Sequence, residues 1–327
     1  MGRKRRKDRH LPERMYLRSG GYYFVEYGSN SWTNLGRDYV KAMAEYARIR
    51  DSNRPLSTMS DVIDRYVAEV APLKAESTYK GNLIEAKYLR AAFGKMEPSR
   101  ISGQNVYAYL DERAKTSKVR ANREIALLSH MFKKAGRWGA VPTDFNPCRG
   151  VERFKEKARD RYVDDAEFFA FRKVAGDFLA AYMDVKVLTG LRQGDLLDLR
   201  LDQLKDDGIH VSMRKTGKQQ IIQWSAELRA AIQQARRLRR RIGSLYLFST
   251  RSGSPYSRDG FKSIWQRRMT SAVEKGVLAT RFTEHDLRRK TGSDTTLEHA
   301  RQLLGHTDSG LTQRVYRVKP DTVKPLR

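Results

Sequence analysis

Six residues between positions 192 and 316 have the types that chemistry at a phosphodiester requires. In order they are Arg192 in TGLRQGDLL, Lys215 in RKTGK, His285 and Arg288 in HDLR, His306 in LLGH, and Tyr316 ten residues beyond. Each island alone carries little information, because surface arginines, hydrogen-bonded helix histidines and packed tyrosines are common. The ordered set is far more specific. A phosphodiester under attack gains negative charge on its non-bridging oxygens. Two guanidiniums can clamp those oxygens bidentately, where lysines act only as point charges. A tyrosine nucleophile, with an ordinary pKa of about 10, needs a proton acceptor and charge stabilisation nearby. A histidine can accept the proton, and a lysine on a mobile hairpin can protonate the leaving 5′-oxygen. No carboxylate cluster suited to two divalent ions is evident, so neither a metal site nor a cofactor is expected.

The elements that must carry these residues are legible in outline. An apolar helix ends at Gly190 and presents Arg192 at the break. Residues 209–213 alternate as a strand, 214–218 turn, and 219–224 return. Lys215 begins that turn; Lys205 and Lys218 lie close enough in sequence to compete for its role. His285 and Arg288 share one helix face at i, i+3. A basic helix, Arg229 to Arg241, reads either as a solvated face or as a phosphate-tracking surface.

The rest of the chain has two further parts. Near the N-terminus, residues 15–17, 22–27 and 31–35 read as three short strands, and Asp38 caps a helix ending near residue 52. Residues 51–55 are a polar linker containing Pro55. Helical spacing then begins at Ser60, at Ser77 or Thr78, at Ser102 and at residue 118, giving four short helices. A charged stretch, 151–161, forms a second linker.

Composition narrows the partner. The 327 residues include 65 Lys and Arg against 38 Asp and Glu, a formal net charge of +27. The excess is spread along the chain: 13 basic against 6 acidic residues in 1–56, 16 against 10 in 57–150, and 36 against 22 in 151–327. Such a distribution suits a protein that surrounds a phosphate backbone. No apolar run approaches the ~20 residues of a membrane span, so no membrane partner is expected. The basic start, MGRKRRKDRH, is followed by no apolar stretch of the kind a secretory signal carries. A single cysteine, Cys148, excludes an internal disulfide framework and a Cys-cluster metal site.

At these residues the chain resembles the tyrosine recombinases, specifically the phage lambda-type integrases, over nearly its whole length. TGLRQGDLL, HDLR, LLGH and Tyr316 are similar to the family's catalytic motifs. GRKRRKDRHLPERMYLRSGGYYF with WTNLGRDYVKA is similar to its arm-type DNA-binding domain. The resemblance implies a multidomain fold: a small β-sheet plus helix, 1–55, with a basic tail; an all-α core-binding domain, 56–150; a linker, 151–161; and a mainly α catalytic domain with a small antiparallel sheet (α+β), 162–327. The two larger parts are expected to clamp a core site.

It further implies a site-specific recombinase, a prophage integrase, that cuts and rejoins DNA through a 3′-phosphotyrosine without ATP and catalyses integration and excision. Tyr316 would be the nucleophile, Arg192 and Arg288 the phosphate ligands, and Lys215 the general acid. His285 would act as base or position the phosphate, His306 would hydrogen-bond it, and Asp195 would orient the first arginine. Arg3, Lys4, Arg5, Arg6, Lys7, Tyr22, Tyr23 and Arg37 are the expected N-terminal DNA contacts. The implied partners are double-stranded DNA with core-type and arm-type sites, other copies forming a tetramer on DNA, and DNA-bending and excision factors. The implied compartment is the cytoplasm of a bacterial host. The alternatives are a resolvase of the Xer type, a type IB topoisomerase, and a non-catalytic DNA-binding regulator on the same scaffold.

Overall fold

The structure, a computed structural model, describes residues 10–25, 31–49, 56–157, 159–239 and 243–319. Arg3, Lys4, Arg5, Arg6 and Lys7 lie outside the described residues, as do the 51–55 linker and the end of the tail from 320. The chain divides into two compact units, 1–157 and 158–327.

In the first unit, β1 (Met15–Arg18), β2 (Gly21–Val25) and β3 (Trp32–Gly36) form an antiparallel sheet in sequence order. Met15 pairs with Phe24, and both are buried. Asp38 accepts from the N–H groups of Val40 and Lys41 and so starts α1 (Tyr39–Ile49). The next helix, α2 (Met59–Arg65), is capped by Thr58 in a capping box with Asp61, two residues ahead of the expected Ser60. It runs on into a π turn, Tyr66–Val70, and a 3₁₀ turn, Ala71–Leu73, that contains Pro72. Helix α3 (Glu76–Phe93) begins just before the expected Ser77, with no side-chain cap.

Two expected helices run together as α4 (Gly103–Arg137), capped by Ser102 and broken at Ser117, which has extended dihedrals. One apolar cluster joins the sheet, α1 and the helices after it: Met15, Phe24 and Tyr46 share it with Ile63, Leu89, Leu128 and Phe132. Each such fully buried side chain contributes roughly 1.5–3 kcal/mol. Apolar packing therefore continues across the expected boundary near residue 55. The start of the expected 151–161 linker is also held, since Asn122 donates to the Phe154 carbonyl and accepts from its N–H.

In the second unit, α5 (Asp165–Ala175), α6 (Asp177–Thr189), α8 (Ala226–Arg237) and α9 (Arg258–Glu274) enclose an aromatic core. There Phe171 packs edge-on against Trp265 and Phe282, and the Tyr182 ring lies tilted against Phe261. Strands β4 (Gly208–Ser212) and β5 (Gln219–Gln223) form the hairpin, with Ile209 opposite Ile222. The short helices α7 (Gln193–Leu197), α10 (Glu284–Ser293), α11 (Leu297–Leu303) and α12 (Ser309–Tyr316) complete it.

Helix α10 breaks the usual rule for buried helices. Its sequence, EHDLRRKTGS, has a single large apolar side chain, Leu287, yet every residue except His285 is buried. Its charges are matched inside the unit. Lys290 pairs with Asp165 and Asp294, and Arg289 donates to the Arg159 carbonyl.

Candidate active site

The site is assembled where four chain segments meet α10. Helix α6 stops because Gly190 takes a left-handed conformation, φ 61°. A side chain there would put its Cβ 2.7 Å from Leu304 and 3.1 Å from Thr291. Glycine is thus required both by dihedral and by space. The chain leaves the turn extended at Arg192, which precedes α7 and stays half-buried. Arg192 Nη1 lies 3.5 Å from the Met213 sulfur at the hairpin end, its only hydrogen bond among the described residues.

Arg288 is fully buried. Its Nη1 donates to the Gly190 carbonyl, and its Nη2 to the Leu304 carbonyl at 2.7 Å. Nη2 also lies 3.3 Å from His306 Nε2, while Nε is buried without a partner. Burial lowers the guanidinium's proton affinity, and Arg192 adds repulsion. Two cations are thus held together in a place that an arriving phosphate anion would relieve.

His306 is buried, and its tautomer follows from its neighbours. Arg288 can only donate, so Nε2 must accept. The ring proton is then on Nδ1, which donates to Thr312 Oγ1 at 2.8 Å; Thr312 passes its own proton to the Asp308 carbonyl at 3.4 Å. His306 therefore serves Arg288 as an acceptor. Burial first, then Arg288, Arg192 and Lys218, push its pKa down to about 4.

His285 sits at the mouth, exposed on one side. The protein mass behind it pushes its pKa down to about 4; Lys186, Arg288 and Arg289 add to this, and Glu284 opposes it. Both imidazoles stay neutral in the fold where a free histidine would already be charged. The sign of the stability effect follows. Between about pH 6.5 and 4 the unfolded chain binds more protons, so stability present above 6.5 is lost as pH falls through that window. Melting temperature measured stepwise from pH 7 to pH 5 should drop, and His306→Gln should flatten part of the drop. An equal slope in the variant would contradict the assignment.

Tyr316 ends α12, whose start is capped by Asp308. Its ring lies 4.7 Å from the His306 ring, 5.8 Å from His285 and 5.3 Å from the Arg288 guanidinium. Ser293 donates to the Tyr316 carbonyl and accepts from the N–H groups of Val318 and Lys319, anchoring the chain just past the tyrosine. Five of the six expected residues are thus gathered in one place.

Lys215 is placed differently. It lies exposed at the hairpin turn, with no hydrogen bond or ion pair among the described residues. The turn end of the hairpin is the end that meets the site, through Met213 and through Gln220, which donates to the Leu303 carbonyl. Lys218 acts electrostatically on His306, whereas Lys205 lies at the opposite end of the strands beside Gly208. Asp195 does not hydrogen-bond Arg192. It accepts from the Arg214 N–H at 3.1 Å, and Asp198 pairs with the Arg214 side chain, so both carboxylates hold the hairpin.

Lys186, Glu284, Met213 and Thr312 were missed from sequence. A charge inside the apolar run FLAAYMDVKVL was the one available sign of Lys186.

The expected N-terminal contacts divide. Tyr22 packs edge-on against Tyr39 of α1, while Tyr23 lies beside the exposed Trp32, and Arg37 is exposed. Trp32 also meets Tyr16 and the Arg18 guanidinium, an aromatic and basic face not anticipated as such. Among the described residues no group of His, Cys, Asp or Glu could hold a metal ion, and no helix is long and apolar enough to cross a membrane.

Comparison with known proteins agrees with this geometry. Residues 171–321 match the phage integrase family. Prophage integrase IntE of Escherichia coli (strain K12) is 26% identical over 293 residues, covering 85% of this chain and 74% of that protein. The fold matches a lambda integrase dimer bound to a COC′ core site, with a TM-score of 0.70 at 20% identity, over 98% of this chain and 99% of the other. It also matches a lambda integrase tetramer bound to a Holliday junction, with a TM-score of 0.66 at 19% identity, over 91% and 97%. The matched family span contains the whole cluster from Arg192 to Tyr316, and residues 171–321 are a phage integrase family domain of the tyrosine recombinase, lambda-integrase type.

Proposed function

We propose that this site cuts and rejoins double-stranded DNA in the following way. The observation that carries the reading is the packing of the Tyr316 ring against Arg288, His285 and His306. Arg192 and Arg288 take the non-bridging oxygens of the scissile phosphate. The Tyr316 oxygen attacks phosphorus, a 3′-phosphotyrosyl bond forms, and the bond to the 5′-oxygen breaks. His285 accepts the tyrosine proton. In the DNA-free protein its pKa is too low for a good base, but the charge of a bound phosphate pulls it upward, so substrate itself readies the base. Lys215 protonates the leaving 5′-oxygen. Rejoining runs the same steps backwards, and the energy of the broken bond is kept in the phosphotyrosine.

Core-type sites would be bound by the helical part and the catalytic unit, and arm-type sites by the aromatic face around Trp32 and Tyr23. Four copies would assemble on DNA during exchange, as the likeness to the lambda tetramer suggests, with bending and excision factors setting direction in a bacterial cytoplasm. The test uses DNA flanking the protein's own gene. Incubation without Mg²⁺ and quenching with SDS should trap a covalent protein–DNA band whose ends map the crossover. Tight, salt-sensitive binding with no band, even on a nicked suicide substrate, would favour a regulator instead.

The general acid can be separated from its neighbours. Lys215→Ala should slow cleavage about 10²–10⁴-fold. A substrate with bridging sulfur at the 5′ position has a leaving group that needs no proton and should restore it. Lys205→Ala and Lys218→Ala should stay within a few-fold of the wild type. Rescue of Lys218→Ala by sulfur, with Lys215→Ala unaffected, would transfer the role.

A further inference from the structure

Behind the site lies a polar pair that the chemistry above does not use. Lys186, on α6, is fully buried. Its ammonium pairs with Glu284, and Tyr182 donates to the same carboxylate at 2.7 Å. Lys186 Nζ also donates to the Leu191 carbonyl at 2.5 Å. That carbonyl belongs to the residue immediately before Arg192. The preceding carbonyl, of Gly190, is taken by Arg288. The turn that carries one phosphate-binding arginine is therefore gripped from within by two cations, Lys186 and the other arginine. Glu284, at the opposite end of the pair, is the residue immediately before His285.

Stability does not account for this arrangement. A lysine and a glutamate taken wholly out of water lose much of their hydration. Apolar residues of similar volume usually serve a core as well or better. What the pair supplies is a fixed distance between two places on the rim. It ties the α6 end, which aims Arg192, to the start of α10, which carries His285. A second tie runs parallel, from Thr291 to the Val187 carbonyl at 2.9 Å, and holds the helices together without touching either rim residue.

We propose that Lys186 and Glu284 are positioning residues, which together set the Arg192 turn relative to His285, with the Lys186 ammonium placed to act on the His285 ring. The charged groups that act on the His285 ring are Lys186 from α6 and Glu284, Arg288 and Arg289 from its own helix, and the Tyr316 ring of α12 packs beside it. Of the three cations, Lys186 exerts the largest effect, and it touches neither DNA nor the reacting atoms in this scheme. The inference rests on the recombinase reading, and its test separates the two.

Lys186→Met alone leaves a buried carboxylate, so a loss of activity there could reflect unfolding. The informative variant is the triple Lys186→Met, Glu284→Leu, Tyr182→Phe, which removes all three polar heads together. It leaves only the Leu191 carbonyl without its donor, so it should melt several degrees lower at most and bind the mapped duplex with unchanged affinity. It should nevertheless form covalent complex on a nicked suicide substrate about 10²-fold more slowly, as expected when a clamp is displaced by a fraction of a bond length. Capture within threefold of wild type by the folded variant would overturn the positioning role.

A second readout needs no DNA. The His285 ring, followed by NMR through a pH titration of full-length Lys186→Met well below the variant's melting temperature, with the spectrum showing it folded, should titrate about one unit higher than in the wild type. An unchanged titration would overturn the electrostatic half of the proposal. A wild-type protein that never captures DNA would sink the recombinase reading, while the titration would still decide whether Lys186 governs His285.

Discussion

Tyr316→Phe should abolish covalent attachment to DNA while leaving affinity and fold in place. Phenylalanine keeps the ring that packs on His306, His285 and Arg288 and removes only the oxygen. Nothing near it can substitute. The His306 ring is engaged by Arg288 and Thr312, His285 serves as the base, and the hydroxyl of Ser293 is turned to the backbone at the end of α12. Loss of a nucleophile that acts with its partners as a unit is expected to cost at least about 10⁴-fold. The measurement is the SDS-resistant band on the mapped duplex, with gel-shift affinity and melting temperature alongside. A band of even a few per cent of the wild-type yield would mean that another residue attacks.

Arg288→Lys should be nearly as damaging to cleavage and, unlike the tyrosine change, should also weaken the fold. A lysine has no fork. From the same position it cannot reach the Gly190 carbonyl, the Leu304 carbonyl and His306 together. At least one buried carbonyl is then left without a donor, at about 1–3 kcal/mol, and His306 loses the donor that fixes its tautomer. A total near 3 kcal/mol lowers the melting temperature of a unit this size by about 10 °C. The lost bidentate clamp should slow suicide-substrate capture by about 10³-fold. Arg192→Lys provides the contrast. Arg192 is half-buried and, among the described residues, its side chain bonds only Met213, so that variant should lose activity with little loss of stability. Equal destabilisation by the two lysine variants would refute the distinction.

Much of this was legible because it is written in local pattern. The alternation at 209–213 and 219–224 specifies the hairpin, Asp38 and Ser102 specify helix starts, and a glycine ahead of Arg192 specifies the break. The ordered set of residue types carried the site. What escaped depends on partners distant in sequence. Helix α10 is polar apart from Leu287, so periodicity reads it as a surface helix; its burial rests on hydrogen-bond and charge partners supplied by α5, α6 and the 159 backbone. The resemblance implied that Asp195 orients Arg192, but its carboxylate is taken by the Arg214 N–H at the hairpin, a partner 19 residues away that no local pattern announces. A polar linker read at 51–55 suggested separate N-terminal domains. The shared cluster from Leu11 to Cys148 arises from tertiary packing that no linker composition reports.

The grip on Arg288 bears on how such a site is inherited. Its acceptors at Gly190 and Leu304 are main-chain oxygens, which every amino acid brings. Substitution at Leu304 changes the lining but cannot delete the acceptor; only a change in the path of the chain can. The barred positions are those where the path itself is demanding, as at Gly190. A lineage can therefore exchange most of its side chains around a constant scaffold of oxygens. That gives a physical route by which a chain 20% identical to lambda integrase retains its fold at a TM-score of 0.70. What descends is a trajectory of backbone, with a short set of side chains threaded onto it.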